Sequence, residues 1–79
     1  MDPRIALSYW LDNSDKSYEA GRNYNEWTAR GGFPAVIILD NGLDATVIKV
    51  SGASVKVIFN QSGKKATVKR SNINRVSLY

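Results

Sequence analysis

Fifteen residues, KVIFNQSGKKATVKR from Lys56 to Arg70, carry five cationic side chains and no anionic one. Ammonium and guanidinium groups at this density suit one kind of chemistry, the neutralisation of a polyanion such as a phosphate backbone. Like charges facing one another across a sheet are destabilising, so the arrangement calls for a reason outside the fold. Little else in the chain could do chemistry. Histidine and cysteine are absent, which removes the usual general base near neutral pH, the commonest nitrogen ligand, thiolate zinc sites and disulfides. The carboxylates of Asp12, Asp15, Glu19, Glu26, Asp40 and Asp44 show no spacing that suggests an acid–base pair and read as solvated surface. The RGGF at 30–33 lacks the pattern of a phosphate-cradling loop. The expectation is a non-enzymatic chain with no catalytic residue, no metal and no cofactor.

The division of charge along the chain sharpens that reading. Residues 1–45 hold all seven acids against Arg4, Lys16, Arg22 and Arg30. Residues 46–79 hold Lys49, Lys56, Lys64, Lys65, Lys69, Arg70 and Arg75 with no acid. A net +4 thus understates a basic C-terminal half of the kind that meets polyanions. The plainer alternative is a basic face kept for solubility.

A chain of 79 residues fits one domain with a thin core, since folding at this size buries only about 60% of the unfolded surface. With 43% hydrophobic and 23% charged residues, the composition is that of a globular chain and not a disordered one. The longest apolar run, AVIIL at 35–39, is far short of the ~18 residues of a membrane span. MDPRIALSYW does not read as a signal peptide. The expected location is cytoplasmic, nucleoid or nuclear, not secreted, with no membrane partner.

The elements that would position the cations are legible from Ala35 onward. Short β-branched runs alternate with turn residues: AVIIL then DNG, ATVIKV then SGAS, VKVIFN then QSG, KATVKR then SNIN, and finally RVSL. This describes an antiparallel meander. Hairpin tips at Gly52-Ala53 and Ser62-Gly63 pair Val50 with Val55 and Asn60 with Lys65. Side-chain alternation then gives a core face of Ile48, Val50, Val55, Val57, Phe59, Ala66 and Val68. The other face carries Lys49, Lys56 and Lys69 in one cross-strand row, then Val47, Ile58 and Thr67, then Ala45, Asn60 and Lys65.

The first 33 residues leave alternatives open. Asp2-Pro3 could cap a short helix, yet Ile5, Leu7, Tyr9 and Leu11 alternate as in a strand. SYEAGRNYNEWTARGG is a second helix candidate ending at Gly31-Gly32, weakened by Gly21. Tyr9, Trp10, Tyr18, Tyr24 and Trp27 concentrate here. Such rings either close one end of the core or, in the cases of Tyr9, Trp10, Tyr24 and Trp27, stack on bases or grip a partner.

Residues 42–76, GLDATVIKVSGASVKVIFNQSGKKATVKRSNINRV, resemble the central part of Tudor and KOW-like domains. Ala45 and Val47, Gly52, Val55, Val57 and Phe59, Gly63, Val68 and Ile73 carry the likeness. The resemblance implies a mainly β fold: a small five-stranded antiparallel SH3-like barrel over 34–79, with a single 3-10 turn before the last strand. An aromatic-rich extension with room for a short helix, residues 1–33, would pack on it. Tudor domains that read methylated side chains use an aromatic or acidic residue after the third-strand phenylalanine. Here Phe59 is followed by Asn60-Gln61-Ser62, and a basic face replaces the cage, which points to nucleic acid as in KOW-like barrels and the DNA-binding SH3-like domains of retroviral integrases.

The expected site is therefore Lys49, Lys56, Lys64, Lys65, Lys69 and Arg70, binding DNA or RNA with little sequence preference. The alternative is an adaptor or regulatory subunit docking on an acidic protein, of phage or viral type, or on a second copy of itself. A third reading folds Asp12 to Glu26 across the lysine row and neutralises it internally.

Overall fold

Asp2 decides between helix and strand at the start of the chain. Its carboxylate accepts the Arg4 backbone N–H at 2.9 Å, capping a helix whose first residue is Pro3, where the missing N–H costs nothing. Arg4 folds back on the same carboxylate, Nε at 3.1 Å and Nη2 at 2.8 Å. These side-chain hydrogen bonds hold the Asp2 carboxyl below its ordinary pKa. In this computed structural model, which describes residues 2–13 and 15–77, helix α1 is Pro3–Leu11. It buries Pro3, Ala6, Leu7 and Trp10 at helical spacing, leaving Ile5 and Tyr9 outside. The apparent alternation of Ile5, Leu7, Tyr9 and Leu11 is thus divided between two faces of a helix.

Helix α2 is Ser17–Ala29 and buries Ala20, Gly21 and Tyr24. It stops at Gly31, whose φ of 84° allows Gly31 N–H to reach Thr28 O at 3.1 Å and Gly32 N–H to reach Trp27 O at 3.0 Å, a Schellman cap. The glycine inside the helix has a packing reason. A Cβ at position 21 would lie 2.9 Å from Val50 Cγ1 and 3.2 Å from Trp10 Cδ1, so Gly21 lets α2 approach both α1 and the sheet.

The strands are β1 Val36–Leu39, β2 Asp44–Ser51, β3 Ser54–Phe59, β4 Lys65–Lys69 and β5 Ile73–Val76, with a 3-10 turn Arg70–Asn72 before the last. Their order in the sheet is β4-β3-β2-β1-β5, a meander whose final strand returns beside the first. Leu78, the end of the expected last strand, lies outside the described residues. The expectation of a mainly β closed barrel is corrected on two counts. The fold is mixed α/β, both helix candidates of the first 33 residues being full helices in a region expected to add at most a short one to a mainly β fold. The sheet is open, β4 and β5 being its edges, and the helices supply the second layer. Helices and strands share one apolar core running from Leu7, Trp10 and Tyr24 through Ile37, Val47, Val55 and Val57 to Val76.

Register departs from the simple alternation in two places. Val50 pairs with Val55 and Lys49 with Lys56, but a bulge then intervenes and Val47 pairs with Val57. An extra residue in one strand flips the period-2 pattern beyond it. Ala45 and Val47, expected on the outer face, are therefore fully buried, while Ile48, expected in the core, is 37% exposed. Between β3 and β4 the pairing is offset by two residues, with Lys56 opposite Thr67 and Lys69 opposite Ser54. The turn closes asymmetrically, Phe59 N–H bonding Lys64 O and Gly63 N–H bonding Phe59 O. An even shift leaves every side chain on its face.

Two side chains of α2 fix the helices to the strands. Tyr24 Oη donates to Val47 O at 2.5 Å and accepts Ala35 N–H at 2.9 Å. Burial pushes its hydroxyl pKa up to about 12. Beyond Thr46 strand β2 has outrun β1, and Asn25 takes up the backbone N–H and C=O of Val50. Trp10 Nε1 donates to Gly52 O at the hairpin tip, 3.0 Å away.

Candidate nucleic-acid interface

The face of the sheet turned away from the helices carries Lys49, Lys56, Lys65 and Lys69, all exposed. Lys49 and Lys56 are direct cross-strand partners, which puts their Cβ atoms roughly 5 Å apart. Lys65 lies opposite Ile58 and Lys69 opposite Ser54, so each is a diagonal neighbour of Lys56. The expected row of three lysines is thus a cluster centred on Lys56. A shallow groove of about 230 Å³ between β3 and β4 is lined by Ile48, Lys56, Lys65 and Thr67.

None of these four lysines makes an ion pair among the described residues. Helix α2 packs on the opposite side of the sheet through Ala20, Gly21 and Tyr24. The reading in which Asp12 to Glu26 folds across the lysines is therefore corrected: burial of the helix's apolar stripe commits that segment to the core face. At the far corner the outer face changes character, since Asp44 and Arg75 flank Ile38 in one row.

Lys64 and Arg70 stand apart from the cluster. Lys64 is exposed on the β3–β4 turn, its N–H donating to Ser62 Oγ at 3.3 Å. Arg70 turns toward the helices, its guanidinium 4.6 Å from the centre of the Trp10 ring and its Nη1 donating to Asn13 Oδ1 at 3.0 Å. Asn60, at the β3–β4 turn, accepts from Thr46 Oγ1 at 2.7 Å. Gln61 and Ser62 remain exposed.

The aromatic candidates divide. Trp10 and Tyr24 are 2% and 0% exposed and close the core. Trp27 is half-buried, edge-on to Phe33 at 5.7 Å, with its Nε1 on Phe33 O at 2.9 Å. Tyr9 is 50% exposed, on α1 and so on the helical side of the molecule. Two residues that sequence reasoning left out of the site emerge beside Arg70: Arg22 and Tyr18 border a cleft with it and Trp10. Arg22 lies in the acid-rich half of the chain and carried no signal; only packing of α2 beside the hairpin tip joins it to the basic half.

No helix among the described residues is long and apolar enough to cross a membrane. No family model matches the chain, and neither a curated protein nor a solved structure matches it.

Proposed function

We propose that this chain is a non-enzymatic binding module that holds nucleic acid, with little regard to sequence, on the lysine-bearing face of its sheet. The observation that carries the reading is the unpaired cluster of Lys49, Lys56, Lys65 and Lys69 on one exposed face. Mutual repulsion on a pleated surface is relieved when phosphates replace water and counterions between the ammonium groups. Lys64 on the adjoining turn extends the track, while Arg70 is engaged elsewhere. The strand order and the 3-10 turn before β5 support likening the sheet to the strand arrangement of SH3-like domains of Tudor or KOW type, with α1 and α2 covering its core face in place of barrel closure.

The test is titration of fluorescent single- and double-stranded oligonucleotides against salt, with wild type and a Lys56→Glu, Lys65→Glu variant. Affinity should fall with salt at a slope of about −0.9 per phosphate neutralised on duplex DNA. The variant should lose affinity across all sequences and show a shallower slope. Absence of binding at low salt would defeat the proposal.

One observation favours a protein partner instead. Ile5 and Tyr9, one helical turn apart on α1, are 55% and 50% exposed, an apolar pair of the kind that anchors interfaces. In that reading the partner docks on the Ile5–Tyr9 side of α1, and Tyr9→Ser would weaken capture while lysine reversal would leave it unchanged.

A further inference from the structure

On the opposite side of the hairpin tip from the lysines lies an open cleft of about 400 Å³. It is bordered by Trp10, Asn13, Ser17, Tyr18, Arg22 and Arg70 among others, with no carboxylate among its described lining residues. Neither arginine makes an ion pair among the described residues. Arg70 lies over the Trp10 indole and spends Nη1 on Asn13. Its Nε is buried and has no hydrogen-bond partner, an unusual condition for a strong donor. Tyr18, 82% exposed, presents a ring that contributes nothing to the core.

We propose that this cleft binds a nucleoside phosphate, the phosphate held between Arg22 and Arg70 and the base stacked on Tyr18. Three features select this class. Paired guanidinium groups without a carboxylate recognise a phosphate through bidentate, charge-assisted hydrogen bonds. An exposed ring beside them suits a planar base, which stacks on aromatic side chains. The volume falls within the range of small-molecule sites, about 300–1,000 Å³. A phosphate oxygen arriving beside Asn13 would draw the Arg70 fork outward and give Nε an acceptor. The site stands on its own geometry and does not depend on the lysine face.

The probe is adenosine monophosphate, followed by calorimetry and by NMR of the arginine Nε–H and Trp10 indole signals. Adenosine and inorganic phosphate serve as the two half-ligands. Wild type should bind adenosine monophosphate at least tenfold more tightly than either half, with the Arg70 Nε–H and Trp10 signals shifting most. Arg22→Gln and Tyr18→Ser, both on exposed side chains whose loss leaves the core intact, should each weaken binding about tenfold. Lys56→Glu, Lys65→Glu should bind adenosine monophosphate as wild type does. The inference is overturned if Arg22→Gln and Tyr18→Ser bind unchanged, if adenosine monophosphate does not bind, or if the lysine variant loses it equally. A trinucleotide with and without a terminal phosphate separates the sources of the ligand. Tighter binding of the phosphorylated trinucleotide than of adenosine monophosphate marks the site as one for a strand end, and the reverse order marks it as one for a free nucleotide.

Discussion

Asn25 and Val50 exchange two hydrogen bonds, Asn25 Nδ2 to Val50 O at 2.8 Å and Val50 N–H to Asn25 Oδ1 at 2.7 Å. A primary amide offers the same donor–acceptor pair as a peptide unit, so a helical side chain continues the strand pairing where β1 has stopped. Asn25→Ala should cost roughly 1–3 kcal/mol, because it strands a donor and an acceptor in a part-buried place. Asn25→Asp should cost nearly as much, since a carboxylate can accept from Val50 N–H but only repels Val50 O. Urea unfolding midpoints of the two variants would check this; an unchanged Asn25→Asp would refute the pairing.

Tyr24 links stability to alkaline pH. Its folded-state pKa of about 12 stands above the ordinary 10 because burial disfavours the phenolate. The folded chain therefore keeps a proton that the unfolded chain releases, so the contribution is intact below pH 10 and is lost as pH climbs to about 12. On the order of 2 kcal/mol should vanish across that window. Tyr24→Phe should begin about 1–3 kcal/mol less stable, having abandoned Val47 O and Ala35 N–H, and should lack this component of the alkaline decline. Denaturation curves of both proteins over the window, with tyrosinate absorbance followed in parallel, would reveal it.

Gly21 invites a substitution that helix propensity recommends and packing forbids. Alanine gains about 1 kcal/mol in a helix interior, but its Cβ would press on Val50 and Trp10, and overpacking costs about 1–3 kcal/mol. Gly21→Ala should therefore come out neutral to destabilising, with the indole signal of Trp10 displaced. A clear rise in melting temperature would show that the helices have room to separate.

Lys49 and Lys56 face each other directly. Lys56→Glu should raise stability by roughly 0.2–1 kcal/mol at low ionic strength by turning a repulsive pair into an attractive one. The gain should shrink as salt screens the pair. Thermal melts at two salt concentrations suffice, and a loss of stability at both would mean that Lys56 has a fold role that its exposure conceals.

What was legible in the sequence, and what was not, follows from the range of the interactions. The number and order of strands from Val36 to Val76 could be read because β-branched runs and Gly, Asn and Ser turns are local signals. The Lys49–Lys56 pair could be read because a two-residue tip fixes the register of its own hairpin. The bulge at Ile48 could not, for it answers to the docking of Tyr24 and Asn25, which lie more than twenty positions away in sequence. The offset of Lys69 from Lys56 came from the asymmetric closure of the β3–β4 turn, which composition does not encode. Arg22 and Tyr18 were invisible as site residues for the same reason: their neighbours Gly52 and Arg70 come from the other end of the chain.

Strand β5 is the last element, yet it pairs with β1 and lies against α1, the first. A ribosome delivers this chain in one direction, so the helices emerge with their apolar stripe facing nothing, and the sheet lacks its closing edge until residues 73–76 are free of the exit tunnel. The β5 edge of the sheet is therefore the last part of the fold to be added. A nascent chain halted before Ile73 would leave β1 without its second partner strand and α1 without the cover that β5 gives it.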